Sequence, residues 1–206
     1  MSQPGWPAIL SDGPVTLRPY RRSDARLWSE VRRANEQWLG KWEPTPYGTW
    51  YDLNSVAAFR AVHADLRRAA RHGTAMPFAV CYEQQLVGQL TLGNIVRRAF
   101  CSGYAGYWVD ARFAGKGIIP TALALVVDHA FSVGGLHRIE VNIRPDNLAS
   151  RRVVEKLGFR QEAYHHRYLH IDGDWRDHLG YAMTTEDLAD EGGSLLRRWH
   201  KSSANA

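Results

Sequence analysis

The chain has 206 residues, 45% of them apolar and 23% charged, with a net charge of +5 and two cysteines, Cys81 and Cys101. That length suits a single domain able to bury a full core. No apolar run approaches the roughly 18 residues of a membrane helix, and an isolated cysteine pair builds neither a disulfide scaffold nor a metal site. The opening MSQPGWPAIL has no basic stretch leading into an apolar one. No export signal is read there, and a cytoplasmic chain with reduced thiols is expected. The positive balance suits an anionic partner such as a polyphosphate compound or a ribosomal surface; no DNA partner is expected.

Val15 to Tyr20 reads as a first strand, and Ser23 or Asp24 can cap the helix after it. Leu27, Val31, Ala34 and Trp38 recur there at helical spacing. Prolines then stop the helix in a stretch rich in aromatics: Trp38, Trp42, Pro44, Pro46, Tyr47, Trp50 and Tyr51. Asn54 or Ser55 starts another helix, with Val56, Phe59, Val62, Leu66 and Ala70 as its buried stripe and Gly73 at its end. Arg60, Arg67, Arg68 and Arg71 fall on its other faces, as a solvated surface or as a contact for RNA phosphate. A hairpin follows, Met76 to Tyr82 and Leu86 to Ile95, turning at Glu83-Gln84-Gln85.

From Tyr104 to Phe159 the pattern is strand, glycine turn, helix, strand, helix. The strand Tyr104 to Val109 meets Arg112-Phe113-Ala114-Gly115-Lys116-Gly117, and a long apolar run, Ile118 to Val133, comes next. Glycines at such a junction let backbone approach a ligand, and free amides at the helix start face an anion. A diphosphate is therefore expected at this turn. The spacing is not that of a P-loop, because Lys116 stands between the glycines. Nor is it a dinucleotide turn, because Pro120 occupies the third glycine position. In the cradle helix Ile119, Leu123, Val126, Val127 and Ala130 form the buried face. In the strand Arg138 to Ile143, Glu140 and Asn142 share one face, which looks onto solvent or onto a site. Asn147 can cap a helix striped by Ala149, Val153, Val154 and Leu157. Asp172-Gly173 then marks a hairpin, and Glu186 and Asp187 open a polar C-terminal helix.

The turn matches Arg/Gln-x-x-Gly-x-Gly/Ala, and Asn147-Leu148-Ala149-Ser150 and Leu157-Gly158-Phe159 follow it. In these features the chain resembles the GNAT acyltransferases, which bind acetyl-CoA, over about residues 13–185. The run Tyr168-Leu169-His170-Ile171-Asp172-Gly173-Asp174-Trp175-Arg176-Asp177-His178 is similar to the RimJ branch, which acetylates an N-terminal alanine of a ribosomal protein. The resemblance implies one domain over 1–206, with residues 186–206 as a C-terminal helix and tail. Its expected fold is mixed α/β: a central, mostly antiparallel sheet with splayed middle strands, flanked by helices.

It also implies acetyl-CoA as co-substrate, no metal, and a monomer or homodimer. Trp108, Val109, Arg112, Gly115, Lys116, Gly117, Ile118, Ile119, Asn147 and Ser150 are then the acetyl-CoA residues. The amide near Val109 would hold the thioester carbonyl, Asn147 the pantetheine, and the Ser150 hydroxyl the departing thiolate. Asn147 and Ser150 can equally serve as caps. Trp38, Trp42, Tyr47, Tyr168, Trp175 and Asp177 would line the acceptor side for a peptide N-terminus, although aromatics in the loop can serve packing alone.

The RimI type carries a glutamate at the position of Asn142 and the RimL type one at that of Leu169, so this chain lacks both acids. The candidates for the base are Glu140 through water held by Asn142, then Tyr107, then His170 or Asp177. Asp177-His178 has no partnering nucleophile and reads as structural or acceptor-binding. Acetylation of a small amine, or a ribosome- or RNA-associated factor that only binds acetyl-CoA, are the other activities the fold allows.

Overall fold

The computed structural model describes residues 4–204. Its strands are β1 (Leu10–Asp12), β2 (Val15–Pro19), β3 (Met76–Tyr82), β4 (Gln85–Val96), β5 (Ser102–Val109), β6 (Arg138–Ile143), β7 (Arg160–Ile171) and β8 (Asp174–Thr184). They form one eight-stranded sheet in the order β1-β2-β3-β4-β5-β6-β8-β7. The helices are α1 (Ala25–Ala34), α2 (Glu36–Leu39), α3 (Trp50–Leu53), α4 (Val56–Arg71), α5 (Ile118–Ser132), α6 (Leu148–Lys156) and α7 (Leu195–Ala204).

The sheet is covered on both faces, and the side-chain alternation of β3 shows how. Phe78 and Val80 join the core formed with Leu123, Val126 and Val127 of α5. Ala79 and Cys81 turn the other way, toward Leu27 of α1. A strand buried on both sides must read as a continuous apolar run, and Met76 to Cys81 does. The hairpin turns obey local chemistry. Glu83 and Gln84 both have positive φ, as do Asp172 and Gly173, the backbone a two-residue hairpin turn requires.

All strand pairs are antiparallel except β5 with β6. That parallel pair is joined only at Ser102↔Arg138, Gly103↔Ile139 and Tyr104↔Glu140. Beyond Tyr104, β5 stays with β4 as far as Gly88↔Val109, while β6 stays with β8 as far as Ile143↔Leu179. The sheet therefore splits down its middle, as expected of the splayed strands.

Several local expectations are corrected. The first helix does not run to Trp38, because Asn35 interrupts it: its amide N–H₂ donates to Val31 O at 2.8 Å and its Oδ1 accepts from Ala111 N at 2.9 Å. Asp24 does not cap α1. Its carboxylate takes a hydrogen bond from Arg21 N and a two-point pair from Arg18. In α4 the buried positions are Phe59, His63 and Ala70, whereas Val56 and Val62 are exposed. The helix turns this way because His63 stacks on Phe59 and reaches the Tyr20 carbonyl. Ala149 is exposed on α6, and Val154 and Leu157 carry its burial. Glu186 and Asp187 open a 3-10 segment, Glu186–Glu191, with α7 following separately.

Candidate active site

The turn before α5 begins with a buried carboxylate. Asp110 accepts from the Arg112 amide at 3.1 Å and from its guanidinium, Nε at 2.9 Å and NH2 at 2.5 Å. Burial opposes ionisation of Asp110, but the Arg112 bonds outweigh it and hold the carboxyl below its ordinary range. Arg112 thus fastens the turn with its own side chain. Lys116 is exposed over the Phe113 ring at 4.8 Å. Gly115 and Gly117 have φ of +79° and +74°, and Gly117 is the N-cap of α5. A glycine cap has no side chain to bond the amides of the first turn, so they remain available to an anion.

Below the turn, the split sheet opens a cleft of about 330 Å³ lined by residues that include Tyr107, Trp108, Asn142, Asn147, Ser150 and His178. Strand alternation sets what enters it. Asp110 N donates to Val87 O at 2.8 Å. An antiparallel ladder turns alternate main-chain groups outward, so those of Val109 and Tyr107 point across the gap. The Trp38 indole reaches one of them, donating to Val109 O at 3.0 Å.

On the α6 face, the Tyr107 hydroxyl lies 2.8 Å from Ser150 Oγ. Asn147 caps α6 by accepting from Ser150 N at 3.1 Å, which fixes the serine. Burial pushes the Tyr107 phenol well above its ordinary range. Tyr107 is therefore protonated at neutral pH and can donate its O–H.

On the opposite face the wall comes from distant segments. Trp108 of β5 packs on Arg32 of α1, whose guanidinium also lies over Trp28 and Trp50. Arg32 donates to Glu43 at 2.6 Å, and Glu43 and Trp42 both line the cleft. Arg144 clamps that loop, donating to Lys41 O at 2.8 Å with its guanidinium 5.0 Å from the Trp42 ring centre. The loop is also tied to the β7–β8 hairpin, with Thr45 N on His170 O and Gly173 N on Thr45 Oγ1.

Other expected residues lie apart from the cleft lining. Glu140 accepts from Arg138 Nε at 2.6 Å beside the last paired rung. Asp177 accepts from Tyr164 Oη and Arg167 N. Tyr168 stacks on His165, Trp175 meets His170 edge-on, and Tyr47 is fully exposed. Sequence reasoning gave no cleft role to Glu43, Arg144, Gln89 or Thr91. The one available signal was the polar alternation of Gln89 and Thr91 on an otherwise apolar strand. Among the described residues no cluster of metal-ligating side chains is present.

Residues 15–160 match the acetyltransferase (GNAT) domain, and the chain belongs to the GNAT acetyltransferases. It is an acetyl-CoA-dependent N-acetyltransferase of that family. The structure of Mycobacterium smegmatis RimJ in complex with CoA-disulfide is similar to it, with a TM-score of 0.94 and 40% identity, covering 98% of this chain and 97% of that one. The [Ribosomal protein uS5]-alanine N-acetyltransferase of Escherichia coli (strain K12) is 29% identical over 187 residues, 86% of this chain and 91% of that protein. The probable N-acetyltransferase YjcK of Bacillus subtilis (strain 168) is 41% identical over 105 residues, and the match spans 58% of that protein's length.

Proposed function

We propose that the chain acetylates the α-amine of a protein N-terminus, foremost an N-terminal alanine of a ribosomal protein, in the cytoplasm. The amine attacks directly while acetyl-CoA is bound. One observation carries the proposal. The gap between β5 and β6 runs from the Tyr107–Ser150 pair on one face to a wall of Trp42, Glu43 and Trp108 on the other. The likeness to an alanine N-acetyltransferase along 86% of the chain supports it.

Acetyl-CoA supplies an acetyl thioester, and the residues present suit it. The amides from Gly115 to Ile119 would hold its pyrophosphate, and the outward main-chain edge of β5 with Asn147 would hold its pantetheine. The paired Tyr107 and Ser150 hydroxyls would give a departing sulfur its hydrogen bonds. The wall opposite admits an extended chain end and bears one carboxylate, Glu43, which suits a single ammonium better than a polyamine. An α-amine has pKa near 8 against about 10.4 for lysine, so it needs less help to lose its proton.

Thiol release from acetyl-CoA, measured with Ala-, Ser- and Met-initiated peptides, N-terminally blocked lysine peptides and spermidine, tests this. Selective release with the Ala- or Ser-initiated peptide is the expected result. Release with spermidine alone would move the acceptor to small amines. Binding of acetyl-CoA without release, together with salt-sensitive RNA binding, would favour a non-enzymatic ribosomal role.

A further inference from the structure

We infer that His178 is the catalytic base, its Nε2 taking the proton from the attacking amine. The inference rests on the N-terminal acetyltransferase reading and names the group that serves it. His178 is buried at 4% exposure yet lines the cleft. Its Nδ1 lies 3.0 Å from Arg176 O. A carbonyl oxygen can only accept, so Nδ1 carries the hydrogen, and in the neutral ring Nε2 is left with a free lone pair.

Register places that ring on the acceptor side. Asn142 pairs with Gly180, and His178, two residues back along β8, points to the same face. Arg144 shares this face by the same alternation on β6, and it is Arg144 that clamps the Trp42 loop. Asn142 Oδ1, in the same wall, is buried with no hydrogen-bond partner among the described residues. Asn142 and His178 therefore present two acceptors to an incoming group that carries N–H bonds. Tyr107 and Ser150, on the α6 side, present O–H groups to the sulfur.

The competing groups are engaged elsewhere. Glu140 is held by Arg138, and Asp177 by Tyr164 and Arg167 N. His170 Nδ1 is 2.7 Å from Thr45 Oγ1 in the loop tether. Around His178 stand Tyr168 and His165 from β7, its neighbour Asp177, and Arg144. Burial, with Arg144 and His165 adding to it, holds the imidazole below its ordinary value against the Arg176 carbonyl and Asp177. His178 is thus neutral, and able to accept, at pH 7.

In the step, the amine nitrogen forms a C–N bond to the acetyl carbon while the C–S bond breaks and sulfur keeps the electron pair. The amine proton passes to His178 Nε2 and then to solvent. The sulfur takes a proton through the Tyr107 hydroxyl, which solvent restores.

Acetyl transfer to an Ala-initiated peptide, followed from about pH 5.5 to 9.5, tests the assignment in the full chain, His178→Gln and His178→Ala, with calorimetric acetyl-CoA affinity alongside. His178→Gln is expected to lose about 100-fold in kcat with acetyl-CoA affinity unchanged. Its rate should rise with pH only as the free amine deprotonates, without the wild-type limb on the acid side of neutrality. Added imidazole should restore part of the rate to His178→Ala. A His178→Gln enzyme with wild-type kcat and pH profile overturns the assignment alone. A wild type that binds acetyl-CoA but acetylates no amine overturns the transferase reading, and the assignment falls with it.

Discussion

The cradle and the acceptor wall are built in different ways. The cradle, whose turn residues are not among those lining the cleft, is contiguous: the Arg112–Gly117 turn leads straight from β5 into α5. The acceptor wall is assembled from Trp42 and Glu43, Trp108, Arg144 and His178, held by contacts that cross 103 residues in the case of Arg144 and Lys41. The first depends on backbone geometry, which few residue types satisfy. The second depends on side-chain contacts, which many sequences could provide. Substitutions in the cradle should therefore act on acetyl-CoA binding, and those in the acceptor wall on acceptor binding and turnover.

The largest effect is expected from Gly117→Val. Its φ of +74° costs an L-residue about 1–2 kcal/mol, and the added Cβ would stand 3.4 Å from Trp199, at the helix start proposed to meet the pyrophosphate. Calorimetry should show acetyl-CoA binding lost while the far-UV spectrum stays native. Undiminished binding would remove the cradle from the site.

Gly88→Val comes next. A Cβ at Gly88 would lie 2.4 Å from Trp108 O, a backbone atom held in the β4–β5 ladder. Neither strand can yield without opening the cleft, so a loss of about 3 kcal/mol is expected. Denaturant titration measures it, and a stable variant would mean the β4–β5 pairing is looser than the register indicates.

Ser150→Ala and Tyr107→Phe should each lower kcat by about tenfold and leave acetyl-CoA affinity nearly unchanged. Because the two hydroxyls bond at 2.8 Å, the double variant should cost less than the two losses combined. Tyr107→Phe should leave the pH profile below about 10 unchanged, because the phenol stays protonated there. Strict additivity would separate the two hydroxyls into independent roles.

The same contrast explains what the sequence made legible. Gly115, Gly117, Asn147 and the Asp172-Gly173 turn announce themselves because local backbone and capping chemistry demands those residue types, and the structure places each as its local role requires. The splay followed from the family resemblance, and the register confirms it. In the sequence Asp177-His178 reads only as structural or acceptor-binding, because no nucleophile accompanies the pair. The orientation of His178 comes from a carbonyl on its own strand, and its position in the cleft from pairing across β6 and β8. Arg138 and Glu140 stand two apart on β6 and so share a face, whereas the Tyr164 and Arg167 contacts of Asp177 form across the hairpin and leave no spacing signal.

The smallest expected effect sharpens the acceptor side. Glu43 accepts from Arg32 and retains partial exposure in the cleft. Glu43→Gln keeps an oxygen for Arg32 but removes the charge that would meet an α-ammonium. A half-exposed ion pair is worth about 0.5–1 kcal/mol, so KM for an Ala-initiated peptide should rise about two- to fivefold with kcat unchanged. The same peptide with a blocked N-terminus should compete equally poorly against both forms. A fall in kcat without a change in KM would place Glu43 in the chemical step, alongside the role proposed for His178.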